Sequence, residues 1–235
     1  MTNAGEVSEA VRHFWETRNA QGARPSDTAS RDAGRRAVTG GKQLDGFAGL
    51  IANAAAGAGV PDASVFWARR KELPGYFRAT KEWDLLVVHE RRLLAVIELK
   101  SQVGSFGNNL NNRVEESVGS AYDLTRAHRE GAFGSESNPW LGYFFLLEER
   151  AGRSGSTHQL KVKEPHFPVF EEYQRASYAG RIEELCRRLV VDRLYNAAWF
   201  LLTKPDHSFR EPNRQLSGAV FLASLQGHLT AQLKA

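Results

Sequence analysis

Apolar positions along the chain fall into two periods, one near 3.6 and one that is nearly continuous. Residues 6–20 place Val7, Val11, Phe14, Trp15 and Arg18 at helical spacing, so an amphipathic helix opens the fold. A second helix starts near Gln43, carries Leu44, Phe47, Leu50, Ile51 and Ala54 on one side, and dissolves into Gly57-Ala58-Gly59. Short apolar runs bounded by polar residues predict strands over 64–69, 84–88, 93–99, 140–148 and 196–203. A helix is expected from Asn112 to about Glu130, buried through Val114, Val118, Ala121 and Leu124 or Thr125, with Asn112 and Glu115 as a capping-box-like start. A helical region over 167–195 would bury Phe170, Tyr173, Ile182, Leu185, Leu189 and Val190. The last helix, from Ser217, carries Val220, Phe221, Leu225 and Leu229. Residues 72–82 and 149–160 read as loops. The order helix, three-strand meander, helix, strand, helix, strand predicts the α/β class, a mixed-sheet α/β sandwich.

With 235 residues and 42% hydrophobic content, the chain is long enough for one sizeable core, so a single domain over 1–235 is expected. No run of about eighteen apolar residues is present, and the N-terminus lacks a signal-peptide core. A soluble, cytoplasmic protein with no membrane contact is therefore expected. One cysteine, Cys186, forbids an internal disulfide and a cysteine-rich zinc site, and reads as buried filler on a helix. Lys and Arg exceed Asp and Glu by 31 to 27, a modest excess that suits a polyanionic partner. Residues 21–42 concentrate five basic residues without periodicity; they read as a solvated linker or as a basic loop whose Arg35, Arg36 and Lys42 meet phosphates. The seven histidines show no metal-ligand spacing, and His89 and His166 read as surface or packing residues.

Polar residues at the ends of two apolar strands carry the candidate chemistry. Asp84 opens the first, Glu98 and Lys100 close the second, and the charged turn 89–92 joins the two. Side chains alternate along a strand, so Glu98 and Lys100 share a face, and the hairpin returns Asp84 beside them. Two carboxylates and an ammonium at the end of a buried strand pair are costly unless they hold a cation and organise water. An Asp followed at a distance by Glu-x-Lys resembles the signature of PD-(D/E)xK nucleases, although Trp83 precedes Asp84 where that pattern has proline. A surface salt bridge at strand ends would show the same residues. Asp45 is a candidate further carboxylate, or an aspartate placed by the helix dipole.

Longer stretches carry a more specific resemblance. AVRHFWETR (10–18), AVTGGKQLDGF (37–47), ELPGYFRATKEWDLLVV (72–88), IELKSQVGSFGNNLNNR (97–113), LGYFFLLE (141–148) and EPHFPVFEEYQRASYAGR (164–181) resemble the XhoI family of type II restriction endonucleases. The resemblance implies a restriction endonuclease-like PD-(D/E)xK core and a homodimeric, Mg²⁺-dependent enzyme. It implies cleavage of double-stranded DNA at the palindrome CTCGAG with four-base 5′ overhangs, in a restriction-modification system. A cognate DNA methyltransferase would share the site without needing to bind the enzyme. Asp84, Glu98 and Lys100 would be catalytic, with Asp84, Glu98, the Leu99 carbonyl and, as a further candidate, Asp45 around the metal. Lys81, Ser101, Gln102, Asn108, Asn109 and Arg113 join Arg35, Arg36 and Lys42 as candidate DNA contacts. Asparagine and arginine suit adenine and guanine edges, while the asparagines of this loop also suit turns and, at Asn112, a helix cap. A repair or recombination nuclease with the same core, or an inactive DNA-binding module, are the competing readings.

Overall fold

The computed structural model describes residues 4–22, 42–106, 109–134, 137–164 and 166–234. Its helices are α1 (Ala4–Gly22), α2 (Asp45–Gly57), α3 (Leu110–Arg129), α4 (Glu171–Gln174), α5 (Tyr178–Val191) and α6 (Gly218–Lys234). Its strands are β1 (Val65–Phe66), β2 (Glu72–Pro74), β3 (Thr80–Glu82), β4 (Leu85–His89), β5 (Arg92–Gln102), β6 (Trp140–Glu148), β7 (Ala197–Thr203) and β8 (Phe209–Arg210). Six of them form one sheet in the order β1-β4-β5-β6-β7-β8, while β2 and β3 pair as a separate hairpin. The β5-β6 and β6-β7 pairs are parallel and the outer pairs antiparallel, so the sheet is mixed as the element order predicts.

Alternation along the central strands divides the interior into two apolar layers. Phe144 and Leu146 of β6 with Trp199 and Leu201 of β7 pack with Val11, Phe14, Phe47, Ile51, Phe221 and Leu225, which places α1, α2 and α6 on one face. Tyr143, Phe145 and Phe200 pack instead with Ala121, Leu124, Ile182 and Leu189, which places α3 and α5 on the other. Strands covered on both faces read as unbroken apolar runs, and β6 and β7 are buried throughout. Gly142 is required here, because a Cβ would lie 2.4 Å from the Trp140 ring and 2.7 Å from Phe221.

Several expected boundaries move, each for a local reason. The first strand shrinks to Val65–Phe66, and β5 runs on to Gln102 because β6 pairs with it along that length. The stretch 72–82, expected as a loop, contains the β2–β3 hairpin. Helix α3 begins at Leu110 after Asn109, so Asn112 lies within its first turn and is not its cap. The buried side of α3 is Ser117, Ser120, Ala121, Asp123, Leu124 and Ala127, while Val114 and Val118 face outward. Small residues let this helix sit close to the sheet, and buried Asp123 is satisfied by the backbone N–H groups of Tyr76 and Phe77, both at 2.8 Å. The region 167–195 breaks into α4 and α5, where the Ser177 hydroxyl accepts from the Gly180 N–H at 3.1 Å and caps the longer helix. Phe170 is consequently exposed, with the Arg188 guanidinium over its ring, and Val220 also faces outward. Cys186 is buried on α5 as expected, and burial pushes its thiol pKa well up. No helix among the described residues is long and apolar enough to cross a membrane.

The β4–β5 connection sets the phase of the site. His89 pairs with Arg92 around a two-residue turn, and Glu90 and Arg91 both adopt positive φ, 49° and 63°. Both sit in the left-handed region that two-residue hairpin turns favour and that asparagine and glycine adopt with little strain. The register shift between Val87 and Val88 leaves Leu94 as the extra residue on β5, after which Val96 falls in the α3/α5 layer. Replacing Glu90-Arg91 by Asn-Gly should therefore raise stability by about 1 kcal/mol, a rise in Tm of about 2–4 °C for a chain of this length. Thermal unfolding is the measurement, and an unchanged or lower Tm would mean that the turn stores no strain.

Candidate active site

Glu98 and Lys100 project from β5 on the side of α3 and α5, in phase with Val96. Asp84 lies one residue before β4, beyond the Leu85–Ile97 pair that ends the β4–β5 ladder. Its Oδ2 accepts from the Leu99 N–H at 2.7 Å, taking the place of the next rung. N–H and C=O of one residue point to the same side of an extended strand, so the Leu99 carbonyl is also turned toward the cleft that Leu99 lines. Glu98 is 4% exposed and is held from both sides. Lys100 Nζ meets its Oε1 at 2.5 Å and Lys81 Nζ meets its Oε2 at 3.0 Å. Lys81 comes from β3, where its ammonium stands 4.2 Å from the centroid of the Trp83 ring.

Charge and burial separate the two carboxyls. Burial would raise Glu98, but the Lys100 and Lys81 ammonium groups outweigh it and hold its pKa below the usual value. Burial, with Glu98 adding repulsion, pushes Asp84 up to about 6 against the pull of Lys100, the Leu99 N–H and Lys71. Burial would lower the Lys100 pKa, yet Glu98 and Asp84 raise it, so this lysine stays charged. Two carboxyls pushed apart in one cleft mark a place built for charge chemistry. Asp84 Oδ1 has no hydrogen-bond partner among the described residues and Asp84 carries the less compensated charge, which is the donor set that a hard cation completes with water. No three His, Cys, Asp or Glu side chains among the described residues group as a metal site.

Around this cluster lies a cleft of about 890 Å³. It gathers Asp84, Glu98, Leu99, Lys100, Ser101, Lys81, Lys42, Asp45 and Arg113 from the sequence expectations, and adds Gln43, Trp67 and Lys71. Gln43 Nε2 donates to Ser101 Oγ at 2.8 Å, which ties the turn before α2 to β5. Asp45 is raised by burial and stands at the first turn of α2. Lys71 pairs with Glu82 at 3.1 Å across the β2–β3 hairpin. Nothing in the sequence marked Lys71, and Gln43, although inside the resembling stretch 37–47, carried no sign of meeting Ser101.

Three expectations need correction or a different place. Gln102 is buried: its Nε2 donates to the Gly104 and Ser105 carbonyls at 3.3 and 3.1 Å and its Oε1 accepts from Tyr178 at 2.5 Å, so it anchors the loop and does not face DNA. Lys81, expected as a DNA contact, lines the cleft and is paired with Glu98. Asn109 is the residue before α3, with no side-chain cap bond, and is half-buried. Arg113 lines the cleft, pairs with Glu116 at 2.7 Å and keeps a buried Nε with no partner among the described residues. Arg35, Arg36 and Asn108 lie outside the described residues.

A mixed sheet between helical layers, with an Asp and a Glu-x-Lys at the ends of its central antiparallel pair, is the restriction endonuclease-like α/β fold. The family model described as Restriction endonuclease XhoI matches residues 25–211. A type II restriction enzyme BstVI of Geobacillus stearothermophilus is 48% identical over 215 residues, covering 87% of this chain and 95% of its own length. A type II restriction enzyme XhoI of Xanthomonas vasicola is 40% identical over 213 residues, covering 86% of this chain and 84% of its own. AbrI of Azospirillum brasilense, also a type II restriction enzyme, is 42% identical over 164 residues, 69% of this chain and 72% of its own length. No solved structure matches. The chain belongs to the XhoI restriction endonuclease family and is a type II restriction endonuclease, a nuclease acting on double-stranded DNA.

The raised Asp84 pKa has a sign that can be read in stability. Folded Asp84 keeps its proton up to about pH 6, whereas the unfolded carboxyl releases it near 3.8. Between those values the folded state binds more protons, so Asp84 makes stability fall as pH rises through that window, and the loss is complete above it. Without divalent cations, Asp84→Asn should therefore be more stable than the parent at pH 8, on the order of 2 kcal/mol, and closely similar at pH 3.5. Thermal unfolding at both pH values checks this; equal Tm differences at both would show that Asp84 is not penalised by ionisation.

Proposed function

We propose that this protein cuts double-stranded DNA at the palindrome CTCGAG as a homodimer, with Mg²⁺ held by Asp84, Glu98 and the Leu99 carbonyl. The products are four-base 5′ overhangs. The observation that carries the reading is the meeting of Asp84, Glu98 and Lys100 in a cleft that Lys42, Lys71 and Arg113 also line. The named XhoI relative, similar over most of both chains, supports the particular site. A cognate methyltransferase acting on the same sequence would protect the host.

A phosphodiester repels hydroxide, so hydrolysis depends on neutralising charge and aligning water more than on covalent help. Mg²⁺, when bound, supplies polarisation of the scissile phosphate and lowers the pKa of water. Lys100, kept charged at the edge of the cleft, orients the attacking water and offsets the negative charge that builds at phosphorus. The new P–O bond forms as the bond to the 3′ oxygen breaks, and that oxygen leaves as the 3′-hydroxyl while the phosphate stays on the 5′ end. Asp45, which also lines the cleft, is available as an additional carboxylate. Lys42, Lys71 and Arg113 take phosphates along the cleft, and Ser101 and Asn109, on either side of the loop from β5 to α3, stand near the adjacent base pairs.

Digestion of a sequenced plasmid with Mg²⁺ should give discrete fragments whose ends map to CTCGAG with 5′-phosphates. Smears, nicks or a gel shift alone would overturn the assignment. Glu98→Ala and Lys100→Ala should each lower cleavage by about a thousandfold or more while keeping DNA binding in Ca²⁺, since both act in the transition state. Near-parental cleavage by either variant would remove the β4–β5 hairpin from the chemistry. Arg113→Ala should weaken cognate and mismatched duplexes alike and flatten the salt dependence, as a phosphate contact does. Asn109→Ala should instead lose about 1–3 kcal/mol for the cognate duplex alone. Parental binding by both variants would make the loop purely structural.

A further inference from the structure

Helix α3 turns an apolar stripe away from the sheet. Val114, Val118 and Tyr122 recur every four residues on that side, and Tyr122 is 53% exposed. Phe77, 65% exposed at the tip of the β2–β3 hairpin, stacks on Tyr122 with ring centroids 5.8 Å apart, and Tyr76 meets Phe77 edge-on at 4.9 Å. This tip is held in place: Asp123 accepts from the Tyr76 and Phe77 N–H groups at 2.8 Å and pairs with Arg78 at 2.9 Å. A fixed group of three rings and two valines facing water gains free energy when another surface covers it.

Two further features say what covers it. Gly119 lies beside Val118 on this helix, and a Cβ there would meet nothing within 4 Å. A glycine inside a helix is destabilising relative to alanine, and the single chain gives no steric reason for it, whereas close approach of a second helix does. The charges are also graded along α3. Glu115 stands near its start and Arg129 near its end on the side of the stripe, while Glu116 is paired with Arg113 and Arg126 with Glu130. A two-fold axis crossing the middle of α3 sets the acidic end of one copy against the basic end of the other, with the apolar centre facing itself.

We infer that the outer face of α3, with the tip of the β2–β3 hairpin, is the surface through which two copies of this chain associate. The inference takes its two-fold symmetry from the proposed cleavage of a palindrome. It also fits the position of the site: α3 starts beside the cleft, where Arg113 lines the wall, so pairing along α3 fixes the two clefts relative to each other on one duplex.

Sedimentation of the full chain, alone and with a CTCGAG duplex in Ca²⁺, tests it. The parent should sediment as a dimer, and Val118→Asp, at an exposed position that leaves circular dichroism and Tm unchanged, should weaken association by about thirtyfold or more. A chain carrying Glu115→Arg, and another carrying Arg129→Glu, should each associate more weakly alone and form a heterodimer when mixed. A parent that stays monomeric on DNA, a Val118→Asp chain that sediments as the parent does, or a mixture that fails to associate would each overturn the interface. The two readings fail separately. A parent that cuts at CTCGAG while Val118→Asp remains dimeric removes only this face; a parent that pairs through α3 but does not cut there removes only the assigned site.

Discussion

Glu98 is a carboxylate buried between two apolar layers, and most of the site's arrangement follows from what keeps it charged. An unpaired carboxylate at such depth would neutralise or cost several kcal/mol. Lys100 comes from the same strand, two residues on, and needs no help to arrive. Lys81 comes from β3, in a hairpin that is itself pinned elsewhere. The pin is Asp123 of α3, which holds the backbone of Tyr76 and Phe77 and the side chain of Arg78. A buried aspartate on a helix thus sets the second cation on a buried glutamate of the sheet.

That arrangement leaves Asp84 as the less compensated charge. With both lysines turned to Glu98, burial and the neighbouring carboxylate act on Asp84 with only partial relief. A folded chain carries such a penalty where a ligand removes it, and the proposed cation is the ligand that would do so. Loops around the cluster are fixed by similar means. Gln43 ties the turn before α2 to Ser101, Gln102 closes on the loop carbonyls and Tyr178, and buried Glu148 accepts from the Gly104 N–H at 2.9 Å. The walls of the cleft are therefore held by buried polar contacts behind them, which is how a site keeps its geometry without support from DNA.

Helix α3 serves both halves of the molecule's proposed action. Its first turn carries Arg113 to the cleft wall, its inner side holds the hairpin that delivers Lys81, and its outer side presents the stripe assigned to a second copy. Its inner side is accordingly made of small and polar residues, since it must sit close to the sheet and bind the hairpin at once.

By itself the sequence determined the central strands, the α/β class and the meeting of Asp84, Glu98 and Lys100 at one place. Those features rest on local rules: an apolar run between polar residues, a period of two along β5, and a short turn that returns Asp84 to Glu98. The longer similar stretches carried the family, and the matches over most of the chain agree with them. What only the tertiary structure decided concerns contacts between residues far apart. Apolar periodicity put Val114 and Val118 inward, but Asp123 and the Tyr195 hydroxyl, which donates to the Ser117 carbonyl, claim the opposite side of α3. Lys81 carried no local sign of pairing with Glu98, and Gln102 none of being buried, because each depends on a segment folding in from elsewhere. Periodicity reports which positions are apolar; which of several polar positions is drawn inside depends on the partner that meets it there.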